Sequence, residues 1–187
     1  ALVLHPPRFG ARVKSFDASG LKAVPGVRAV LELPTGVAVL ATGFWAAKTG
    51  RDALKVEWND NRSWRGSTDE LMAEYRKLAQ TPGKVARADG DAAKALAGAA
   101  KVLEATFEFP YLAHAAMEPL NCVMRLSEGR CEAWYGAQSQ TADQAAIAQV
   151  TGLTPEQVTI ETLFAGGSFG RRANPQSDYV VECAEIV

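Results

Sequence analysis

Histidine occurs only twice in the 187 residues, at His5 and His114, and cysteine only three times, at Cys122, Cys131 and Cys183. No two cysteines form a Cys-x-x-Cys pair, so neither a zinc ribbon nor an iron–sulfur cluster is encoded. The odd count argues against a disulfide scaffold, and each thiol is expected to pack as a small apolar group. No apolar run is long enough to span a membrane. An excess of one charge is missing too: 20 basic against 21 acidic residues leave a net charge of −1. That balance excludes a broad electrostatic attraction to nucleic acid or to an anionic membrane, so no nucleic-acid partner is expected. A local basic pair can still hold a phosphate.

Hydrophobic residues make up 48% of the chain and charged residues 22%, a composition able to bury a core in one compact domain or two small ones. Strands are predicted over 10–17, 27–33, 37–41 and 55–58, with helices over 19–24 and 45–54 and turns at Pro25-Gly26 and Pro34-Thr-Gly36. This β-α-β-β-α-β order is that of a small α+β unit, and the polar stretch 59–66 sets a domain boundary near residue 60. Beyond it, Ser67-Thr-Asp-Glu70 is a capping box opening a helix whose face carries Leu71, Met72, Tyr75, Leu78 and Ala79. A second, Ala-rich helix is predicted over 91–100. Leu103, Ala105, Phe107 and Phe109 alternate with polar residues as in a half-buried strand. Segments 121–126 and 130–135 flank Ser127-Glu-Gly129 as a hairpin. Thr141-Ala-Asp-Gln144 is a further capping box, opening a helix through Val150 that Gly152 stops, and 158–164 is the last strand. The opening Ala-Leu-Val-Leu without Met, and a helical pattern over 178–187 without a C-cap, lead to the expectation of a piece cut from a longer enzyme.

Three segments carry candidate chemistry. Phe164-Ala-Gly-Gly-Ser-Phe-Gly-Arg-Arg172 is a glycine loop after a strand, where exposed amides bind anions and glycine lets a ligand approach the main chain. Gly166, Gly167 and Gly170 supply that access, and Arg171 and Arg172 add charge and forked donors. It matches neither Gly-x-Gly-x-x-Gly nor the nucleoside triphosphate loop, which needs Lys then Ser or Thr. A plain structural turn is the competing reading. In Trp134-Tyr-Gly-Ala-Gln-Ser-Gln140, Gln138 and Gln140 can orient an oxo group or polar ring, or merely cap a helix. In Tyr111-Leu-Ala-His-Ala-Ala-Met-Glu-Pro-Leu-Asn121, a helical conformation puts His114 and Glu118 one turn apart, as a hydrogen-bonded pair rather than a metal site, since only His5 remains as another imidazole. No metal ligand is assigned.

Taken in order, His-x-x-Met-Glu-Pro, Gly-Ala-Gln-x-Gln and Gly-Gly-x-Phe-Gly-Arg-Arg closely resemble the molybdopterin-binding large subunit of the xanthine dehydrogenase and aldehyde oxidase family. The paired arginines and Met117-Glu-Pro119 look most like its isoquinoline 1-oxidoreductase β-subunit branch. The opening block, from Pro7-Arg-Phe-Gly-Ala through Lys55-Val-Glu-Trp58, resembles the hammerhead domain of that family. The resemblance implies an α+β chain: a small α/β hammerhead domain over 1–60, then the first part of a molybdopterin-binding domain over 61–187. It implies hydroxylation of aldehydes or electron-poor N-heteroaromatic rings with water as oxygen source. Molybdopterin, often as the cytosine dinucleotide, would be the cofactor, with iron–sulfur clusters on a partner subunit or domain. Partners would be that iron–sulfur subunit or domain, the remaining molybdopterin domains and a small-molecule substrate. The competing reading is a non-catalytic module that docks or assembles subunits.

By match to the family pattern, Gln138 would hydrogen-bond an oxo ligand of the molybdenum. The amides of Phe169 and Gly170 would lie against the cofactor, Gly166 and Gly167 would give room, and Phe169 would close a wall of the site. Ser168 and Arg171 complete the expected cofactor-binding set. The protein would hold the metal through the cofactor's sulfurs, which explains the lack of metal-ligand spacing. Ser168 stands where the family usually has glycine, and Ala137 where it often has Thr. The family's catalytic glutamate lies far towards the C-terminus, so no catalytic residue is assigned within 1–187. The chain alone is expected to be inactive, to retain no cofactor and to self-associate through apolar surface that other domains would cover.

Overall fold

An apolar run such as 36–41 is stable as a strand only when both its edges and both its faces are covered. In the computed structural model, which describes residues 1–187, β4 (Gly36–Ala41) lies between β1 (Leu2–Leu4) and β3 (Val27–Leu33), antiparallel to both. Val37, Ala38 and Val39 are fully buried there. The strand β1 is too short for a period to reveal it. A two-stranded antiparallel sheet of β2 (Arg12–Asp17) and β5 (Lys55–Asn59), together with α1 (Phe44–Ala53), completes this part. Its core holds Leu21, Val37, Val39 and Leu54, with Phe16, Val27 and Val56 packed around them. The expected helix over 19–24 is a single 3-10 turn, Ser19–Ala23, held at its start by the Asp17 carboxylate, which accepts the Ser19 amide at 2.8 Å. Pro25 leaves it no room to lengthen.

A second sheet contains β6 (Val123–Ser127), β7 (Arg130–Tyr135) and β8 (Val158–Thr162). The hairpin between β6 and β7 turns on Glu128 and Gly129, at φ 50° and 72°, the positive pair that a tight two-residue turn requires. Strands β7 and β8 are parallel and are joined across α4 (Gln140–Thr151), whose C-cap Gly152 is left-handed at φ 72°. The Thr141 capping box does not form, because the N-cap of α4 is Ser139, two residues earlier, and Thr141 lies inside the helix. Tertiary bonds decide that register: Gln144 donates from Nε2 to the Val158 carbonyl at 2.9 Å. Asp143 turns inward to accept the Tyr135 hydroxyl at 2.9 Å. Burial, reinforced by that carboxylate, pushes the Tyr135 phenol far up. Against this sheet pack α4 and α5 (Asp178–Ile186), and their core holds Cys131, Ala133, Tyr135, Ile147, Val158 and Val180. Cys122 lies at the edge of this core, and the Cys183 thiol of α5 reaches the Cys122 carbonyl at 3.5 Å. All three thiols are free.

By compactness, residues 1–64 with 113–187 form one unit and residues 65–112 another. Within the second, α2 (Thr68–Leu78) carries the expected capping box, with the Glu70 amide on the Ser67 hydroxyl at 3.2 Å and the Ser67 amide on the Glu70 carboxylate at 2.7 Å. Helix α3 (Ala92–Ala97) is shorter than expected, with the Asp91 carboxylate capping Lys94. The strand expected over 103–109 is absent: Leu103, Phe107 and Phe109 are all at least three-quarters exposed, at 84%, 76% and 75%. An isolated alternating segment has no neighbour to bond its amides and carbonyls, and this unit offers only helices. Side chains tie it instead, through a forked Arg76–Glu108 pair and hydroxyl contact between Tyr75 and Tyr111 at 2.8 Å. The architecture is mixed α+β, and no helix is long and apolar enough to cross a membrane.

Candidate functional site

Parallel strands deliver the segments that follow them to the same edge of a sheet, where ligands of α/β units commonly bind. Tyr135 of β7 pairs in register with Thr162 of β8, and the Leu163 amide extends the ladder to the Tyr135 carbonyl at 2.9 Å. Gly136-Ala-Gln138 and the glycine loop therefore leave side by side. The third motif segment joins them through Glu118, whose amide donates to the Gly166 carbonyl at 3.0 Å and whose Oε2 accepts the Gly166 amide at 2.5 Å. Its other oxygen accepts Asn121 Nδ2 at 2.7 Å. A Cβ on Gly166 would fall 2.5 Å from Glu118 Cβ, so the space that this glycine frees is occupied by Glu118. The segment is not helical, and Glu118 bonds to the loop rather than to His114, because one backbone bond and one side-chain bond tie it to Gly166.

The Gly166 amide, then Asn121 and the Arg172 charge, hold the Glu118 carboxyl below its ordinary value of 4.5. A carboxyl whose folded-state pKa is depressed contributes stability above its unfolded-state pKa and loses it as pH falls through the folded one. The stabilisation of wild type over Glu118→Gln should therefore be full at pH 7 and shrink as pH falls below about 4.5. Melting temperatures of the two proteins between pH 7 and pH 3 check this, and a constant difference would contradict it.

Arg172 is the buried centre of the assembly, with its side chain wholly inaccessible. Its Nε donates to the Gly167 carbonyl at 3.1 Å, and weaker contacts reach the Gly136 carbonyl at 3.5 Å and the Glu118 carbonyl at 3.4 Å. Glu118 Oε2 lies 3.5 Å away as the counter-charge. One guanidinium thus touches all three motif segments. Arg171, its neighbour, turns the other way and pairs in a forked geometry with Asp178 at 3.0 and 2.7 Å. Gln140 begins α4 and donates to the Thr162 hydroxyl at 3.3 Å, which takes it out of the site.

The loop's outer surface remains. The amides of Gly167, Ser168, Phe169 and Gly170 donate to no protein acceptor, while those of Gly166, Arg171, Arg172 and Ala173 are all bonded. Gly167 and Gly170 have φ of 97° and 85°, and a Cβ on Gly170 would meet nothing within 4 Å. Phe169 is left-handed at φ 55° with its ring 74% exposed, whereas Ser168 is not in the positive region. A left-handed phenylalanine costs about 1–2 kcal/mol, so the residue that carries backbone strain is Phe169. Consecutive unpaired amides around αL residues form a concave donor array that suits an anion. Gln138 reaches this array, its Oε1 accepting the Ser168 hydroxyl. The placement joins Gln138, Gly167, Ser168, Phe169 and Gly170 in one patch, leaves Gly166 beneath it and Arg171 to its side. The sequence does not say which of the paired arginines turns inward, or that Glu118 locks the loop.

The model of the molybdopterin cofactor-binding domain matches residues 77–185, more than half of the chain. Over 197 residues the chain is 29% identical to the isoquinoline 1-oxidoreductase subunit beta of Brevundimonas diminuta, covering 100% of this chain and 25% of that protein. It is also 29% identical over 190 residues to the membrane-bound aldehyde dehydrogenase [pyrroloquinoline-quinone] of Gluconacetobacter polyoxogenes, covering 97% of this chain and 24% of that protein. Among solved structures, the aldehyde oxidoreductase of Desulfovibrio gigas superposes with a TM-score of 0.72 at 16% identity, covering 99% of this chain and 25% of that one. That similarity concerns the fold. The chain spans about a quarter of the length of the curated relatives it matches.

Proposed function

Because the chain belongs to the molybdopterin cofactor-binding domain family, we propose that it supplies one wall of the cofactor site in the large subunit of a molybdenum hydroxylase. The reaction would be oxidation of aldehydes or N-heteroaromatic compounds with water as the oxygen source. The observation that carries this reading is the run of four unpaired amides from Gly167 to Gly170, with Gln138 beside them. An array made only of N–H donors suits the anionic, acceptor-rich groups of a pterin cofactor. When bound, the group supplies the two-electron oxidation at its molybdenum.

The chain's own residues hold and orient it. The amides of Gly167, Ser168, Phe169 and Gly170 face the cofactor, Gln138 adds a side-chain amide, and the exposed Phe169 ring forms a wall. Gly166 acts beneath, by letting Glu118 close the turn, and Arg171 acts at one remove, through Asp178. Residues 1–60 are assigned to a hammerhead domain and 61–187 to the first part of the molybdopterin-binding domain, a division by resemblance rather than by compactness. The cytosine dinucleotide form and electron transfer to iron–sulfur clusters on a partner subunit or domain belong to the same proposal.

Metal and cofactor analysis of the full-length protein from its native host tests the reading. Molybdenum and a pterin in nearly equal amounts are the expected result. Pyrroloquinoline quinone in place of both, or neither molybdenum nor pterin in an active preparation, would overturn it.

A further inference from the structure

We propose that Ser168 is a positioning residue that fixes which way the Gln138 carboxamide faces, presenting its NH2 group rather than its oxygen to the cofactor. This deepens, and rests on, the assignment of Gln138 as a cofactor contact. An exposed glutamine ordinarily turns freely, and its oxygen and nitrogen exchange places at little cost because either end finds water. Gln138 is exposed, yet its Oε1 is engaged by the Ser168 hydroxyl.

The direction of that bond is the one that uses both the proton and a lone pair of the hydroxyl within the protein. A hydroxyl has one proton to give and two lone pairs to accept with. The Arg172 amide donates to Ser168 Oγ at 3.1 Å and fills one of the pairs. The hydroxyl proton goes to Gln138 Oε1; with Nε2 turned to Oγ instead, the second lone pair would accept it but the proton would be left with only water, so the carboxamide keeps both N–H bonds free of any protein acceptor. Ser168 cannot easily drift from this position. Its carbonyl accepts the Arg171 amide at 3.0 Å, and the Arg172 guanidinium is buried and bonded to the Gly167 carbonyl at 3.1 Å. Its backbone is outside the positive-φ region, so nothing in the turn works against holding it.

The consequence is electrostatic. With oxygen inward, Gln138 adds a fifth donor group to the four unpaired amides of Gly167 to Gly170, and the patch presents donors alone. With nitrogen inward, a carbonyl oxygen would stand among those amides and repel the acceptor-rich ligand they suit. Ser168 thus keeps the patch uniform before any ligand arrives.

The experiment uses the full-length, cofactor-loaded protein with Ser168→Ala, Ser168→Thr and Gln138→Ala. Two quantities are followed: the rate of molybdenum loss on prolonged dialysis, and the Mo(V) electron paramagnetic resonance spectrum after dithionite reduction. Ser168→Ala is expected to lose molybdenum about fivefold faster, as removal of one oriented hydrogen bond implies, and to show altered g-values, with a melting temperature lowered modestly because the Arg172 amide loses its acceptor. Ser168→Thr, which keeps the hydroxyl, should restore both. Should Ser168→Ala not fold, Ser168→Gly takes its place. If Gln138→Ala alters both readouts while Ser168→Ala matches wild type, the positioning role is overturned and the Gln138 assignment stands. If Ser168→Ala and Ser168→Thr are equally altered, with lowered melting temperatures, the residue is structural and the proposal is likewise overturned. If Gln138→Ala changes neither readout, the assignment of Gln138 fails and takes the proposal with it.

Discussion

Arg172→Met should destabilise the protein by about 3 kcal/mol, within the range for removing one partner of a buried, hydrogen-bonded ion pair. Methionine fills much the same volume, so the loss is not a cavity effect but the loss of donors. The Gly167 carbonyl gives up a bond at 3.1 Å, and the Gly136 and Glu118 carbonyls give up their longer contacts. Glu118 is about one-third exposed, so its loss of a counter-charge is softened by water and places the estimate at the low end. Arg172→Lys should recover only part of the difference, because a single ammonium cannot reach three segments with a fork. Arg171→Lys should cost less than 1 kcal/mol, since its pair with Asp178 is partly exposed and screened. Urea denaturation of the four proteins checks the order. Equal midpoints for Arg172→Met and wild type would show that the buried guanidinium contributes nothing.

Gln138→Ala is expected to lower turnover of the full-length enzyme about 100-fold, the effect of deleting one oriented donor at a site of charge development. Its melting temperature should hardly move, because the side chain is exposed and its hydrogen-bond partner in the protein is Ser168 alone. Gln140→Ala is the matched control. It lies two residues further on and bonds to Thr162 away from the loop, so turnover should stay close to wild type. Steady-state rates on an aldehyde and on an N-heteroaromatic substrate, beside melting curves, separate the two variants. Equal turnover in both would remove Gln138 from the site, whereas an equal loss in both would point to the corner's structure instead.

How much was legible depended on how local each signal was. The capping box at Ser67, the turn at Glu128-Gly129 and the left-handed cap at Gly152 depend on neighbours a few residues away, and all three form where expected. The box at Thr141 has equally good letters and does not form, since Gln144 bonds to Val158 on another element. The alternation at 103–109 is equally clear and makes no strand, since alternation describes two faces of a ribbon without supplying the second ribbon. Burial sorted the paired arginines in a way that no local pattern predicts.

By itself, the sequence determined the mixed α+β character, the order of the main elements and the three motif segments, because turns, caps and periodicity act over short distances. Only the tertiary structure decided how those segments meet. Parallel pairing of Tyr135 with Thr162 brings Gln138 to the glycine loop, Glu118 closes the turn from a segment 48 residues away, and Arg172 rather than Arg171 is buried at the centre. Each of those outcomes rests on a bond between residues far apart in the chain. A burial cost is offset only where a distant partner is in place, and that partner is known only once the chain has folded.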